Sequence, residues 1–323
     1  MVQGTSPVFL TRCLRSRGDL MRVDDRVRSC IELIGDLVIR NDPLGPRTTY
    51  RVGGPAALFV EIVDEESLER VAGAVQASGI EVLVIGNGSN LLVADAGFSG
   101  LVVHLGGVYD DLVIDEELGL IGAGGAVAYP VLARRSVASG VGGLEWAVGI
   151  PGSVGGAVAM NAGGHGSETE SNLIRARVVD LNQASDGWYG PADLVCAYRS
   201  TNVGCNQIVL EARLHGVPGE AQAELLEEIV KWRRLHQPGG RNCGSVFTNP
   251  AGDSAGRFIE AAGLKGLRLG SAQVSAKHAN FIQVDSSGSA DDVKALIDLV
   301  REKVARAAGV ELVTELRMVG FGS

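Results

Sequence analysis

The chain has 323 residues, enough for about two domains at roughly 150 residues each. It carries 45 glycines, a share about twice the usual ~7%, with only 10 prolines and 46% hydrophobic residues, which excludes both collagen and a disordered linker. A net charge of −9 argues against a nucleic-acid backbone as partner.

In chain order, residues 1–24 read as a disordered leader. Arg12, Arg15, Arg17 and Arg22 surround no apolar core longer than Pro7–Leu10, too short for a signal peptide, and Met21 is an alternative start. Ser29–Val38 has the spacing of a short amphipathic helix. Leu58–Val63 predicts a strand, and Asp64 then caps a helix with Leu68, Val71 and Val75 on one side, ending at Gly79. Val82–Ile85 is wholly apolar, as expected of a strand buried on both faces. It leads into Gly86-Asn87-Gly88-Ser89-Asn90-Leu91, with Leu101–Leu105 as the next strand.

From about 110 to 215 short strand patterns (Leu112–Ile114, Leu120–Gly122, Arg177–Leu181, Ile208–Leu214) alternate with Gly-rich turns, and one helix runs from Tyr129-Pro130 to near Gly140. This half predicts an antiparallel sheet. Val217-Pro218-Gly219 reads as a linker and Ala223–Leu235 as a helix. Ser289 with Asp292 resembles a capping box, opening a helix closed by Gly309. Leu312–Val319 predicts a last strand with Val313, Glu315, Arg317 and Val319 on one face. The five cysteines (Cys13, Cys30, Cys196, Cys205, Cys243) are odd in number and lack CxxC spacing, so neither a zinc site nor a disulfide framework is expected. Trp146–Ser167 is uncharged, but Gly149, Pro151, Gly152, Gly155, Gly156, Gly163 and Gly164 make it a poor membrane span.

Several segments could carry chemistry. The glycines of Gly86–Leu91 allow backbone N–H groups to converge on one point, an anion nest fit for a diphosphate; taken alone the segment is also an ordinary tight turn. The Gly-rich Gly142–Gly164 stretch, whose one charged residue is Glu145, can pass close under a large flat ligand, or be a tightly packed turn region. Ser245, in Cys243-Gly244-Ser245-Val246, stands at a turn without a GxSxG context. Glu315, the Tyr198-Arg199-Ser200 loop and Lys277-His278-Ala279-Asn280 are each ordinary surface features when read alone.

Together these segments, with Thr49-Tyr50-Arg51-Val52-Gly53-Gly54-Pro55-Ala56, Ala262-Gly263-Leu264-Lys265-Gly266 and the rest of Val274–Phe281, resemble the UDP-N-acetylenolpyruvoylglucosamine reductases, flavoenzymes of peptidoglycan precursor synthesis. The match runs in order from about residue 40 to 320. The Thr49–Ala56 and Gly86–Leu92 motifs belong to a wider FAD-binding class related to vanillyl-alcohol oxidase. The resemblance implies an α+β protein: an FAD-binding domain over 25–216, its two subdomains splitting near 106, and a C-terminal substrate domain over 217–323. It implies FAD held by Tyr50, by Gly86, Asn87, Gly88, Ser89, Asn90 and Leu91, by Gly149, Ile150, Pro151, Gly152, Ser153, Gly156 and Ala157, and by Asn161 and Gly163. NADPH would reduce the flavin, and a hydride would pass to the enolpyruvyl carbon of UDP-N-acetylglucosamine enolpyruvate. Arg199 and Glu315 would stabilise the resulting carbanion, and Ser245 would protonate it. Tyr198, Arg234, His236, Asn249, His278 and Asn280 would contact substrate. No metal, nucleic acid or membrane is implied, and the location would be cytoplasmic.

The chain departs from the family pattern at Thr248 and His236, where Lys is common, in a short Gly239-Gly240-Arg241-Asn242 loop, and at Gly164-His165 in place of Ala-Tyr. Arg233, Arg234 or Arg241 could replace the missing phosphate contacts. The chain also lacks the Tyr-bearing insertion near 200–215 and so resembles the shorter subtype. Two other readings stay open: an FAD oxidase or dehydrogenase of small hydroxy acids, and an inactive nucleotide-sugar-binding protein.

Overall fold

The computed structural model describes residues 22–183 and 185–322. The first lobe holds α1 (Val23–Ile34), β1 (Val38–Pro43), β2 (Pro55–Ile62), α2 (Glu65–Ser78), β3 (Val82–Ile85), β4 (Leu91–Val93) and β5 (Phe98–Leu105). Its sheet has the order β1-β2-β5-β3; β2 and β3 flank β5 in parallel and β1 pairs antiparallel with β2. The apolar run of Val82–Ile85 is explained by two covered faces. Val82 packs with Leu58, Val60, Val71 and Val75 on the α2 side, while Leu83 and Ile85 pack with Phe59 and Val102 on the other. Alternate side chains thus enter different cores, each buried aliphatic contributing roughly 1.5–3 kcal/mol.

α2 starts as predicted. Asp64 Oδ1 accepts from Ser67 N at 2.8 Å, Ser67 Oγ accepts from Asp64 N at 3.0 Å, and Gly79 closes the helix at φ 62°. α1 begins earlier than the sequence pattern suggested and ends at Ile34, so Val23 and Asp24 of the expected leader are helical; residues 1–21 of that leader lie outside the described residues.

The second lobe holds β6 (Leu112–Asp115), β7 (Leu120–Gly124), α3 (Tyr129–Ala138), β8 (Val141–Gly142), α4 (Val154–Ala159), β9 (Gly163–Gly164), β10 (Ser167–Glu168), β11 (Leu173–Asp180), β12 (Ser185–Tyr189), β13 (Gln207–His215), β14 (Val217–Pro218) and α5 (Ala223–His236). Its sheet, β12-β11-β13-β7-β6, is antiparallel throughout, as the strand pattern predicted. The expected linker Val217-Pro218 is instead strand β14, paired with β8. α5 lies on this lobe, with Ile229 in its core and Leu226 and Val230 packed against it. The first two lobes also share a core, since Val179, Leu181, Ile208 and Leu210 pack with the α2 side of the first sheet.

The third lobe holds α6 (Ala255–Ala261), β15 (Arg268–Leu269), β16 (Ala272–Val274), β17 (Ile282–Val284), α7 (Ala290–Ala308) and β18 (Arg317–Val319). Ser289 caps α7, accepting from the N–H groups of Asp291 and Asp292. The reciprocal half of the predicted capping box is absent: Asp292 Oδ2 instead accepts from Ser271 N and Oγ, each at 2.7 Å. The predicted strand Leu312–Val319 narrows to β18, which returns to the first lobe and pairs in parallel with β4. Cys30, Cys196 and Cys243 are free thiols, but Cys205 is disulfide-bonded, so the expected absence of disulfides fails at that residue.

Candidate active site

A cavity of about 360 Å³ lies where the three lobes meet. That size falls within the usual range for small-molecule sites. β3 delivers the Gly86–Leu91 loop to its wall. Among the described residues, the backbone N–H groups of Asn87, Gly88, Ser89 and Asn90 have no hydrogen-bond partner. Gly88 has φ 58°, and a Cβ there would strike the backbone of Arg47 and Thr48. The opposite wall is the Gly149–Ala157 segment. Ser153 caps α4, its hydroxyl accepting from Gly156 N at 3.3 Å, and a Cβ on Gly86 would collide with that same hydroxyl. The two Gly-rich segments therefore touch at a point where only glycine fits.

The other end of the cavity carries Arg199, Ser245 and Glu315. Arg199, itself at φ 57°, donates from Nη2 to Gly163 O at 2.7 Å, and its Nε stands 3.2 Å from Glu315 Oε1. Both side chains are about one-fifth exposed. Burial raises the Glu315 carboxyl above its ordinary value, against the lowering effect of Arg199. The Glu315 backbone is pinned twice: its carbonyl accepts from Asn90 Nδ2 at 3.1 Å, and its N–H donates to Val246 O at 2.9 Å. Ser245 follows Gly244, whose φ is 82° and whose N–H donates to Asn242 Oδ1 at 3.0 Å. The chain after Ser245 is clamped by Asn280, which accepts from Phe247 N at 3.0 Å and donates to Phe247 O at 2.8 Å. Beside Ser245, burial pushes the Cys243 thiol up to about 12.

Most of the residues expected at the cofactor line this cavity: Gly86 to Leu91, Gly149 to Ser153, Gly156, Ala157 and Gly163. Tyr50 and Asn161 do not. Tyr50 is fully buried in the third lobe's core, where its hydroxyl faces the Cys243 thiol and burial pushes its pKa well up. Asn161 braces two loops, donating to Ala197 O at 3.1 Å and accepting from Glu170 N at 2.9 Å.

The residues expected at the substrate stand back from the wall. Tyr198 lies under the Arg199 guanidinium, 4.9 Å from ring centroid to Cζ. The Arg234 carbonyl receives Lys277 Nζ at 2.6 Å, and His236 stacks on Trp232. Asn249 Oδ1 accepts from Ala255 N at the start of α6, and His278 Nδ1 accepts from Asn280 N. Asn280 is the clamp already described.

Two further cations line the cavity: Arg233, one of the three arginines expected to replace the missing phosphate contacts, and Arg317, which was not expected at the site. Arg233 and Arg317 face the cavity without a carboxylate partner among the described residues, and desolvation lowers the affinity of both for their proton. Arg317 is open to solvent by area yet stands in a concave wall, which reconciles its exposure with that desolvation. Its position two residues beyond Glu315 on one strand face was the available signal.

The family model described as the FAD binding domain matches residues 56–183, and the one described as UDP-N-acetylenolpyruvoylglucosamine reductase, C-terminal domain, matches 235–319. The UDP-N-acetylenolpyruvoylglucosamine reductase of Heliobacterium modesticaldum is 42% identical over 287 residues, covering 87% of this chain and 90% of the relative. A reductase of the same name, numbered 2, from Symbiobacterium thermophilum is 40% identical over 300 residues, 92% of this chain and 96% of its own. A crystal structure of the reductase from Thermus caldophilus superposes with a TM-score of 0.74 at 33% identity, over 87% of this chain and 98% of that one. The chain therefore belongs to the UDP-N-acetylenolpyruvoylglucosamine reductase family, with an FAD-binding domain of the vanillyl-alcohol-oxidase type followed by that family's C-terminal α+β domain.

Proposed function

We propose that this protein reduces UDP-N-acetylglucosamine enolpyruvate to UDP-N-acetylmuramate, using NADPH through FAD, as a step of peptidoglycan precursor synthesis. The observation that carries the reading is the meeting, in one cavity, of the Gly86 loop, the Gly149–Ala157 segment and the Arg199, Ser245 and Glu315 side chains. The residues present fit FAD. Four unpaired N–H groups on the Gly86 loop suit a diphosphate, and the uncharged Gly-rich wall suits a flat ring system. When bound, FAD supplies the hydride, which it takes from NADPH.

The protein's own part is electrostatic and protolytic. Arg199 offers a rigid fork for the substrate carboxylate, where negative charge builds as hydride arrives. Glu315, raised by burial, can hold a proton and donate a hydrogen bond to the same carboxylate once Arg199 turns toward it. The Ser245 hydroxyl gives its proton to the basic carbon. Arg233 and Arg317 add positive charge where the family's usual Lys residues are missing at His236 and Thr248. The demand for NADPH supports a cytoplasmic location, and among the described residues no helix is long and apolar enough to cross a membrane. Product identity tests the reading: mass spectrometry should find the sugar nucleotide heavier by two hydrogens, while substrate recovered unchanged counts against it.

A further inference from the structure

Beside the cavity, three aromatic rings form a group that the chemistry above does not use. On α5, Arg233 and Gln237 face the cavity and hydrogen-bond to each other at 2.7 Å. Trp232 and His236 come from the same stretch of helix, one turn apart, and stack with centroids 4.7 Å apart at an interplanar angle of 22°. His236 Nδ1 lies 2.8 Å from Trp232 O, which fixes the stacked pair to the helix. From the turn between β9 and β10, His165 meets the Trp232 ring edge-on at 5.1 Å and 85°. His165 also stands against Gly149 in the cavity wall: a Cβ there would lie 3.3 Å from the imidazole and 3.5 Å from Arg233 Cδ. Burial and the Arg233 charge both favour the neutral ring of His165, which suits stacking.

An indole left 43% exposed next to a concave site, with Leu235 also 63% exposed, is an unusual outlay of apolar surface. The combination is specific: a partly exposed aromatic cluster for a base, and beside it Arg233, a partly desolvated guanidinium with no carboxylate partner among the described residues, for a phosphate.

We propose that Trp232, flanked by His165 and His236, is the stacking platform for the base of a nucleoside diphosphate whose phosphates reach Arg233. This rests on the reductase reading and deepens it, because both the proposed substrate and NADPH carry such a group. Calorimetric titration of the purified flavoprotein with UDP, and separately with adenosine 2′,5′-bisphosphate, distinguishes the two sources. Base stacking of the usual strength predicts that Trp232→Ala weakens one of these ligands by roughly 5- to 100-fold. Trp232→Phe should recover most of the affinity, and flavin content and thermal midpoint should stay near wild type, since Trp232 is half exposed. A loss confined to UDP assigns the platform to the sugar nucleotide; a loss confined to the adenosine ligand assigns it to NADPH. Unchanged affinity for both ligands in Trp232→Ala and Trp232→Leu overturns the proposal. If the wild type turns over while the variants bind normally, only the platform fails. If the wild type binds UDP through Trp232 yet never oxidises NADPH, the platform stands and the reductase reading fails.

Discussion

Glu315 and Arg199 set the electrostatics of one end of the cavity, and each side chain is about four-fifths removed from water. Burial holds the Glu315 carboxyl above the unfolded value of 4.5. Its contribution to stability is therefore full below about pH 4.5 and declines as pH rises through the folded value. Arg199 opposes this trend by favouring the carboxylate. Thermal midpoints compared from about pH 4 to about pH 7 should show the decline in wild type and a flatter curve in Glu315→Gln; parallel curves would mean that Glu315 has an ordinary titration. Ser245 has a different signature. Replacing it by Ala removes only the proposed proton donor, so kcat should fall by about 10² to 10⁴ while NADPH still bleaches the flavin at the normal rate. Full turnover in Ser245→Ala would end its assigned role.

Elements matter here chiefly for what they aim. Asn280 satisfies both backbone groups of buried Phe247 and so fixes the turn that presents Ser245. Asn280→Ala leaves a buried N–H and a buried C=O unpaired and should cost about 2 kcal/mol or more, read as a lowered thermal midpoint. A midpoint within experimental error of wild type would show that the turn holds itself. Gly86 marks the contact between the Gly86–Leu91 loop, the proposed diphosphate site, and α4. Gly86→Ala drives its methyl into the Ser153 hydroxyl, so FAD per chain should drop several-fold in purified protein; full flavin occupancy would show that the loop can yield.

What the sequence revealed follows from how local each signal is. The Asp64 cap, the Gly79 stop and the two-faced strand Val82–Ile85 are short-range patterns, and each formed as read. The Gly86 loop stood out because two glycines, one residue apart, directly follow a buried strand, although a tight turn reads the same way. Asn280 was not: nothing in Lys277-His278-Ala279-Asn280 shows that its amide will close on Phe247, because that pairing spans 33 positions. The same holds for β14 and for β18, whose partners, β8 and β4, are distant in sequence. Arg317 stood on the predicted face beside Glu315 yet was overlooked, because a strand arginine carries no motif of its own.

On the scale of the whole molecule, the cavity exists because the lobes do not have separate cores. Tyr50, Val52 and Leu92 of the first lobe pack inside the third, and strands of the second pack beneath α2. The last strand then returns to β4 and carries Glu315 past Asn90. The high glycine content belongs to this arrangement: glycine is needed where backbones from different lobes press together, as at Gly86 against Ser153, as well as where helices end. The measurement that bears most directly on this account is the absorbance of the nicotinamide band when purified flavoprotein is mixed with NADPH and UDP-N-acetylglucosamine enolpyruvate. The account predicts steady oxidation of one NADPH per sugar nucleotide consumed, and little oxidation without the sugar. A protein with full flavin content that leaves NADPH untouched in the presence of both would contradict it.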